Sequence, residues 1–596
     1  MSSPIFDSDI SAKGVVFVVH DSLTISNPTR SSGLHPVKSV MRRHGWFFLL
    51  IGIGFFLFQV SLHISNGVFA GEFGEHPDEA AHFVTGLMVR DFIGMSLQAS
   101  PMDFAENYYL HYPKVAFGHW PPFFYMVQAA WTLVFPSTHA SLMLLIAMLS
   151  TMLALTLFSI IQQECNAITG FFAGLLLMAF PIVQKLSGMV MAEVLLALLS
   201  IVAVLFFWRF MEDLKVGNAI GFGVFSTLAI LTKGNGLALA LVPVLSLFLS
   251  RRLHLLLRPT LWLSAMIVAV FCAPFYWLTF DMVRLGWEEQ TFTLSWFLSA
   301  IQFYSWHLVS IPGPLVSILI ALGIWGKVIK PWMNREVQPK WAALGGLIGS
   351  VLIFHSLVPS SMEERNLFAA VPALLLFFLA GCMWLVDHNI VARLCGGMRR
   401  DVQVTTITFF IAALFIGEAF ATPKSILSGF REVTNTLLSD PRFENSVFFV
   451  SSDPRGEGAF IAEIASREHR PGHIILRASK VLAISGWAEE DYTALHQSDA
   501  EVLEYLEQIP VGLVVLDESL PVSEQVEHHR RLTRIFNNQP SNWVLFATFP
   551  LQRGTKKYPD ALRVYLQKGH QDRPVAPIRI NMNSTLNRTI ESSAVH

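Results

Sequence analysis

Charged side chains are scarce in this chain. Asp, Glu, Lys and Arg make up 86 of its 596 residues, or 14%, where a soluble domain carries about 25%. That shortage excludes an ordinary soluble protein over the full length. Neither sign prevails: 42 basic residues face 44 acidic ones, for a net charge of −2. The basic footprint of a nucleic-acid binder is therefore missing. Cysteine is also rare. The four present, Cys165, Cys272, Cys382 and Cys395, include no CxxC pair, so neither a disulfide framework nor a cysteine metal site can be built. Residues 1–40 lack the apolar core of a cleaved signal. No internal repeat and no low-complexity tract is present.

What remains is apolar: 53% of residues, with a mean hydropathy of +0.49. The polarity is unevenly spread. Residues 46–421 hold 38 charges in 376 positions, whereas 422–596 hold 40 in 175. The chain thus divides into a polar cytoplasmic head, 1–45, a membrane domain, 46–421, and a soluble tail domain, 422–596, with a polar, disordered end. Apolar runs of spanning length fall near 46–65, 139–161, 167–183, 190–210, 217–232, 234–250, 259–280, 310–329, 341–358, 366–386 and 402–421, since a crossing takes about 20 residues. The run 121–135 is too short and starts with Pro121-Pro122. If it stays on the surface and the N-terminus is inside, 15 basic residues collect in inner loops against six outside. The positive-inside bias therefore favours 11 spans, an outward-facing first loop at 67–138 and a tail on the outer face. Within that loop, 79–94 shows the one-face apolar spacing of a helix, and 121–135 makes a second surface helix. In the tail, Val447–Ser451, Ile474–Arg477, Gly512–Leu516 and Trp543–Thr548 read as strands. They alternate with helical runs, which predicts an α/β sandwich with a mostly parallel sheet.

Two outer segments carry the residue types of a catalytic site. His76-Pro77-Asp78-Glu79-Ala80-Ala81-His82 sets two adjacent carboxylates at a helix start beside the membrane. Asp78 and Glu79 suit a general base and its partner; equally, Asp78 suits an N-cap and Glu79 the first turn. Gly118-His119-Trp120-Pro121-Pro122 reads as an interfacial elbow, most of it structural, with His119 singled out as a candidate substrate-binding residue. Lys185, Glu193, Lys233, Glu363, Glu364 and Arg365 all fall at outer helix ends. There they serve either as snorkelling anchors or as cations and their counter-charges around a lipid-linked phosphate. The glycines of Thr232-Lys233-Gly234-Asn235-Gly236 permit close backbone approach, without the spacing of a P-loop. In the tail, Ser451-Ser452-Asp453-Pro454-Arg455-Gly456-Glu457-Gly458 joins a strand to a helix, as a plain turn or an anion site.

HPDEAAHFVTGLMVRDF followed about 25 residues later by GHWPPFFYMVQAAW resembles the family 39 glycosyltransferases of the GT-C superfamily, the group of protein O-mannosyltransferases and aminoarabinose lipid A transferases. FPIVQKLSGMVMAEVLLALL, STLAILTKGNGLALALVPVL and SSMEERNLFAAVPALLLF follow in register, so the resemblance covers about residues 46–385. It implies a GT-C-like polytopic helical protein in the cell membrane. The implied activity moves a hexose or pentose from a polyprenyl-phosphate carrier to an acceptor on the outer face. Carried over residue by residue, the resemblance matches Asp78 and Glu79 to the family's acidic pair, Glu193 to its second-loop acid, and Lys233 and Arg365 to its basic positions. His82 stands where Tyr is common, and His119-Trp120 where some members have an acid before Pro-Pro. Partners would be the lipid-linked sugar, membrane lipid and an acceptor that is protein, lipid or glycan. No cofactor is implied, and a divalent metal is compatible but not required. A transporter or flippase is the rival class; it wants charges near the bilayer midplane and repeated halves, neither of which the sequence shows.

Overall fold

The computed structural model describes residues 35–95, 100–116, 118–282, 291–390, 398–421, 426–444, 446–485, 492–569, 579–581 and 589–591. The chain forms two compact units, Met1–Leu50 and Ile51–His596. Of the first, the described part belongs to the helix His35–Ser65. All that follows concerns the second unit.

Among the described residues, eight helices are long and apolar enough to cross a membrane. The bent pair Ala167–Ala179 and Pro181–Ser187 makes a ninth if it is one span, and two further apolar helices, Val216–Thr232 and Gly234–Leu249, are shorter than that. These coincide with the 11 segments expected from hydropathy, and the chain is a multi-pass membrane protein. Helix Phe123–Thr132 has 10 residues. At 1.5 Å per residue it is about half the ~30 Å a crossing needs, so it lies outside the set of spans. Proline places several helix starts: Pro77, Pro181, Pro259, Pro314 and Pro339 each open a helix, where the missing N–H costs nothing. Pro181 also bends its span by 63°, because it holds Phe180 in extended backbone (ψ 132°). The bend sends Pro181–Ser187, with Lys185, off the line of the preceding helix.

Burial separates central from peripheral helices. Glu193–Asp213 and Glu364–Asp387 are buried over most of their apolar lengths, whereas Pro259–Leu278 is largely exposed. The first two form the centre; the third presents Trp262, Met266, Val270 and Phe271 outward, as a lipid-facing helix does. Gly323 and Gly381 let their two helices touch through backbone: a Cβ on either would collide with a carbonyl of the other helix.

The tail builds a six-stranded sheet from β1 (Leu427–Ser428), β2 (Val447–Ser451), β3 (Ile475–Arg477), β4 (Val511–Asp517), β5 (Trp543–Arg553) and β6 (Lys556–Gln567), in the order β1-β5-β6-β4-β2-β3. β2 pairs in parallel with β3 and β4, while β4–β6, β5–β6 and β1–β5 are antiparallel. The sheet is therefore mixed, not mostly parallel. The difference comes from β6, whose Lys556-Lys557-Tyr558-Pro559-Asp560 start hides the apolar alternation. A tight turn at Gly554 (φ +60°) folds β6 back on β5. β2 and β4 are buried along their whole lengths, which is why they read as unbroken apolar runs. Of the end expected to be disordered, Arg579–Asn581 pairs antiparallel with Thr589–Glu591; the rest of it, like Arg284, Arg393 and Cys395, lies outside the described residues. The tail packs onto the first outer loop, its helix Pro454–Arg467 lying against Pro77–Met95.

Candidate active site

The helix Pro77–Met95 opens with Pro77, so Asp78 stands inside its first turn. The bond at the helix start belongs to His76, whose Nδ1 accepts the Asp78 backbone N–H at 3.1 Å. The cap role expected of Asp78 thus falls two residues earlier, and the Asp78 carboxylate points elsewhere. Its Oδ2 accepts a hydrogen bond from Arg365 Nη1 at 2.9 Å. Burial alone would push this carboxyl up; the Arg365 guanidinium outweighs it and holds Asp78 well below the usual carboxylate range.

Arg365 joins segments far apart in sequence. Its Nη2 donates to Glu363 Oε1 at 2.8 Å, and its Nη1 lies 3.7 Å from Glu193 Oε1. Glu193 opens the central helix Glu193–Asp213 and accepts from Lys233 Nζ at 2.6 Å. Lys233 sits at the junction between Val216–Thr232 and the 3-10 turn that follows. Gly236 makes that turn possible, but the backbone it approaches is the chain's own Ala229–Ile230. Glu363 completes the cluster: its Oε2 is 3.7 Å from His76 Nε2. Burial raises its carboxyl, and the nearby His76 and Arg365 lower it, with a net drop to about 2. Two atoms of the cluster, Arg365 Nε and Glu193 Oε2, are buried with no hydrogen-bond partner among the described residues.

An open cavity of about 230 Å³ adjoins this cluster, and Arg365, His76 and Glu363 form part of its wall. Lys185 and Glu364 line it too. Lys185 is exposed, and Glu364 lies 3.3 Å from His307 Nε2. The site residues expected from sequence therefore sort by place. Asp78, Glu193, Lys233, Glu363 and Arg365 form one charged cluster, with Lys185 and Glu364 on the cavity wall. Glu79 lies behind, fully buried: its carboxylate accepts from the backbone N–H of Glu75 at 3.0 Å and of Val190 at 2.9 Å, and His139 Nε2 is 3.4 Å away. It ties the helix start to the loop before Glu193.

His119 belongs to an aromatic edge. It contacts Trp120 (centroids 5.4 Å apart), which stacks on His82 at 4.2 Å. Burial pushes the His119 imidazole down, partly offset by Asp78. His82 shares a 2.9 Å hydrogen bond with Tyr125 Oη and is driven by burial down to about 3, hence neutral at physiological pH. Sequence reasoning missed His76 and His307 as site members. His76 had a signal, its place before Pro77-Asp78. His307 had none, because its helix Leu294–Ser310 was not assigned. Among the described residues no group of three or more His, Cys, Asp and Glu is placed to hold a metal ion.

A bundle of spanning helices with a charged cluster at one end of its central helices, joined there by the first turn of Pro77–Met95, defines a polytopic membrane protein. The profile of the dolichyl-phosphate-mannose-protein mannosyltransferase family matches residues 119–277, which include His119, Lys185, Glu193 and Lys233. No curated protein sequence matches the chain. Among solved structures, the fold is similar to ArnT from Cupriavidus metallidurans in the apo state (TM-score 0.53, 14% identity, covering 88% of this chain and 98% of that one). The same protein bound to undecaprenyl phosphate is similar at TM-score 0.54 and 13% identity, over 90% and 99% of the two chains. The archaeal oligosaccharyltransferase AglB from Archaeoglobus fulgidus, in complex with an inhibitory peptide and a dolichol-phosphate, gives 0.50 at 12% identity, over 80% and 70%. The chain resembles the GT-C superfamily glycosyltransferases of the mannosyltransferase and ArnT group.

Proposed function

We propose that this protein transfers a sugar from a polyprenyl-phosphate carrier to an acceptor at the outer membrane face, where the tail domain also lies. The observation that carries this is the Asp78–Arg365–Glu193–Lys233 cluster opening onto a cavity with Lys185 on its wall. A spare buried donor, Arg365 Nε, beside an exposed lysine suits the non-bridging oxygens of a lipid-linked phosphate. The matched family and the undecaprenyl phosphate bound to ArnT support the carrier class.

In this scheme Asp78 accepts the proton of the acceptor nucleophile, which attacks the anomeric carbon. The bond from that carbon to the carrier phosphate breaks, the polyprenyl phosphate leaves with the electron pair, and one displacement inverts the configuration. Arg365, with Lys185 and Lys233 nearby, stabilises the charge that develops on the leaving group. The ion pair with Arg365 keeps Asp78 ionised but weakly basic. A phosphate drawing Arg365 away raises the proton affinity of Asp78 as the donor arrives, which brings its pKa closer to the working pH. Glu79 supports the helix start and His119 flanks the acceptor side. The scheme calls on no cofactor, and a divalent metal is compatible with it but not required.

Purified full chain incubated with undecaprenyl-phosphate-linked hexoses and pentoses, together with an envelope extract that supplies the acceptor, should release undecaprenyl phosphate. No release from any of them, together with unchanged envelope glycans and lipids in cells lacking the chain, would overturn the assignment.

A further inference from the structure

The first turn of the Asp78 helix is held from the tail domain as well as from the membrane side. Lys114, fully buried, donates from Nζ to the Pro77 carbonyl at 3.2 Å, one residue before Asp78. The tail encloses this lysine. Arg477 lies beside it, donating from Nη1 to the Pro113 carbonyl at 3.4 Å and from Nε to Glu457 at 2.8 Å. Glu457 is completed by Ser479, whose N–H and hydroxyl both donate to it. Next to Glu457 in the tail helix Pro454–Arg467, Gly458 faces the loop. A Cβ on Gly458 would stand 3.0 Å from Ala80 Cβ and 3.1 Å from Lys114 Cε, tighter than nearly all real Cβ contacts, so any larger residue here requires Ala80 or Lys114 to shift by a few tenths of an ångström. Ala80 belongs to the same first turns as Asp78.

Resting on the assignment of Asp78 as base, we infer that Lys114, clamped by Gly458 and the Glu457–Arg477 pair of the tail domain, is a positioning residue that sets the first turn of the catalytic helix. The tail is then part of the active-site architecture rather than a separate ligand-binding module. Burial and Arg477 push the Lys114 amine well below its ordinary value, while Glu457 and Asp78 draw it partly back; replacing it by an apolar side chain of similar length therefore spares the fold a buried cation. Far along the same helix, Arg470 of the tail pairs with Asp91 at 2.7 Å. That second tie gives a control for loss of tail contact without loss of the Pro77 anchor.

The test uses full-length Lys114→Met, Gly458→Val, Arg470→Met and Asp78→Asn in cells lacking the chain. It measures the glycan or lipid product by mass spectrometry per unit of expressed protein, and the affinity of each purified variant for undecaprenyl phosphate as probe. Lys114→Met and Gly458→Val should each lower product about 10-fold or more while probe affinity stays within twofold. Arg470→Met should keep more than half the product. If Asp78→Asn is inactive but Lys114→Met and Gly458→Val keep wild-type product, the positioning role is wrong and the base stands. Equal product loss in all three tail-contact variants, with weakened probe binding, would mean a general scaffold instead and also overturn the inference. A fully active Asp78→Asn would remove the base assignment first.

Discussion

Replacing Arg365 by lysine separates its geometry from its charge. The guanidinium makes two bonds at once, to Asp78 at 2.9 Å and to Glu363 at 2.8 Å, and has Nε to spare. Lysine keeps one positive charge among Asp78, Glu193 and Glu363, so no buried carboxylate is left wholly uncompensated, a defect that costs about 3–5 kcal/mol when one partner of a buried pair is removed. It cannot reproduce the planar fork. Loss of one charge-assisted hydrogen bond to the leaving phosphate is worth about 1.5–3 kcal/mol, and each ~1.36 kcal/mol is tenfold in rate. Arg365→Lys should thus lower kcat by roughly 10- to 100-fold in the carrier-release assay, with expression and Tm close to wild type. Arg365→Met should also move the acid limb of the pH–rate profile. Asp78 loses its main cation, its pKa rises, and activity is lost at a higher pH as the solution is acidified. Unchanged kcat and donor KM in Arg365→Lys, with an unmoved acid limb in Arg365→Met, would take Arg365 out of the site.

Other expectations concern supports and topology. Glu79→Gln should cost stability more than chemistry, because Glu79 holds the Glu75 and Val190 backbone; Tm should drop by several degrees while kcat per folded molecule falls less than in Asp78→Asn. Glu72 accepts the N–H groups of Gly429, Phe430 and Arg431 at the start of a tail helix, and burial with Glu463 nearby raises its carboxyl from about 4.5 to about 7. A carboxyl raised on folding stabilises below its ordinary value and loses that contribution as pH climbs through about 7. Thermal stability should therefore decline between pH 4.5 and 7 in wild type and less in Glu72→Gln; equal slopes would refute this. A reporter active only outside the cytoplasm should work when fused after His596 and be silent when fused near Arg252; the opposite pattern would reverse the topology.

The spans and their boundaries were legible because bilayer thickness demands long apolar runs, and sequence displays these directly. The tail strands β2 and β4 were equally visible, being buried on both faces. Pairing was not. Whether β4 lies beside a parallel or an antiparallel strand depends on β6, whose charged first residues conceal it. For the site, residue types at outer helix ends were enough to nominate Asp78, Glu193, Lys233 and Arg365, which sit in contiguous motifs. Their direct contacts, and the division of labour between Asp78 and Glu79, were beyond reach. Adjacent residues on a helix point about 100° apart, so one carboxylate faces Arg365 and the other the loop at Val190, and sequence alone does not say which. Lys114 and Gly458 look unremarkable in isolation; their meaning lies in a contact between segments more than 340 residues apart.

Carrier release by the wild-type protein beside Asp78→Asn tests the central claim most directly. Asparagine matches the shape of aspartate, and Arg365 keeps Glu363 at 2.8 Å and Glu193 at 3.7 Å, so the fold should hold. General base catalysis contributes ~10²–10⁴-fold. Wild type should release undecaprenyl phosphate from its lipid-linked sugar, with Asp78→Asn slower by that factor at unchanged Tm. Release by Asp78→Asn at the wild-type rate would contradict the account.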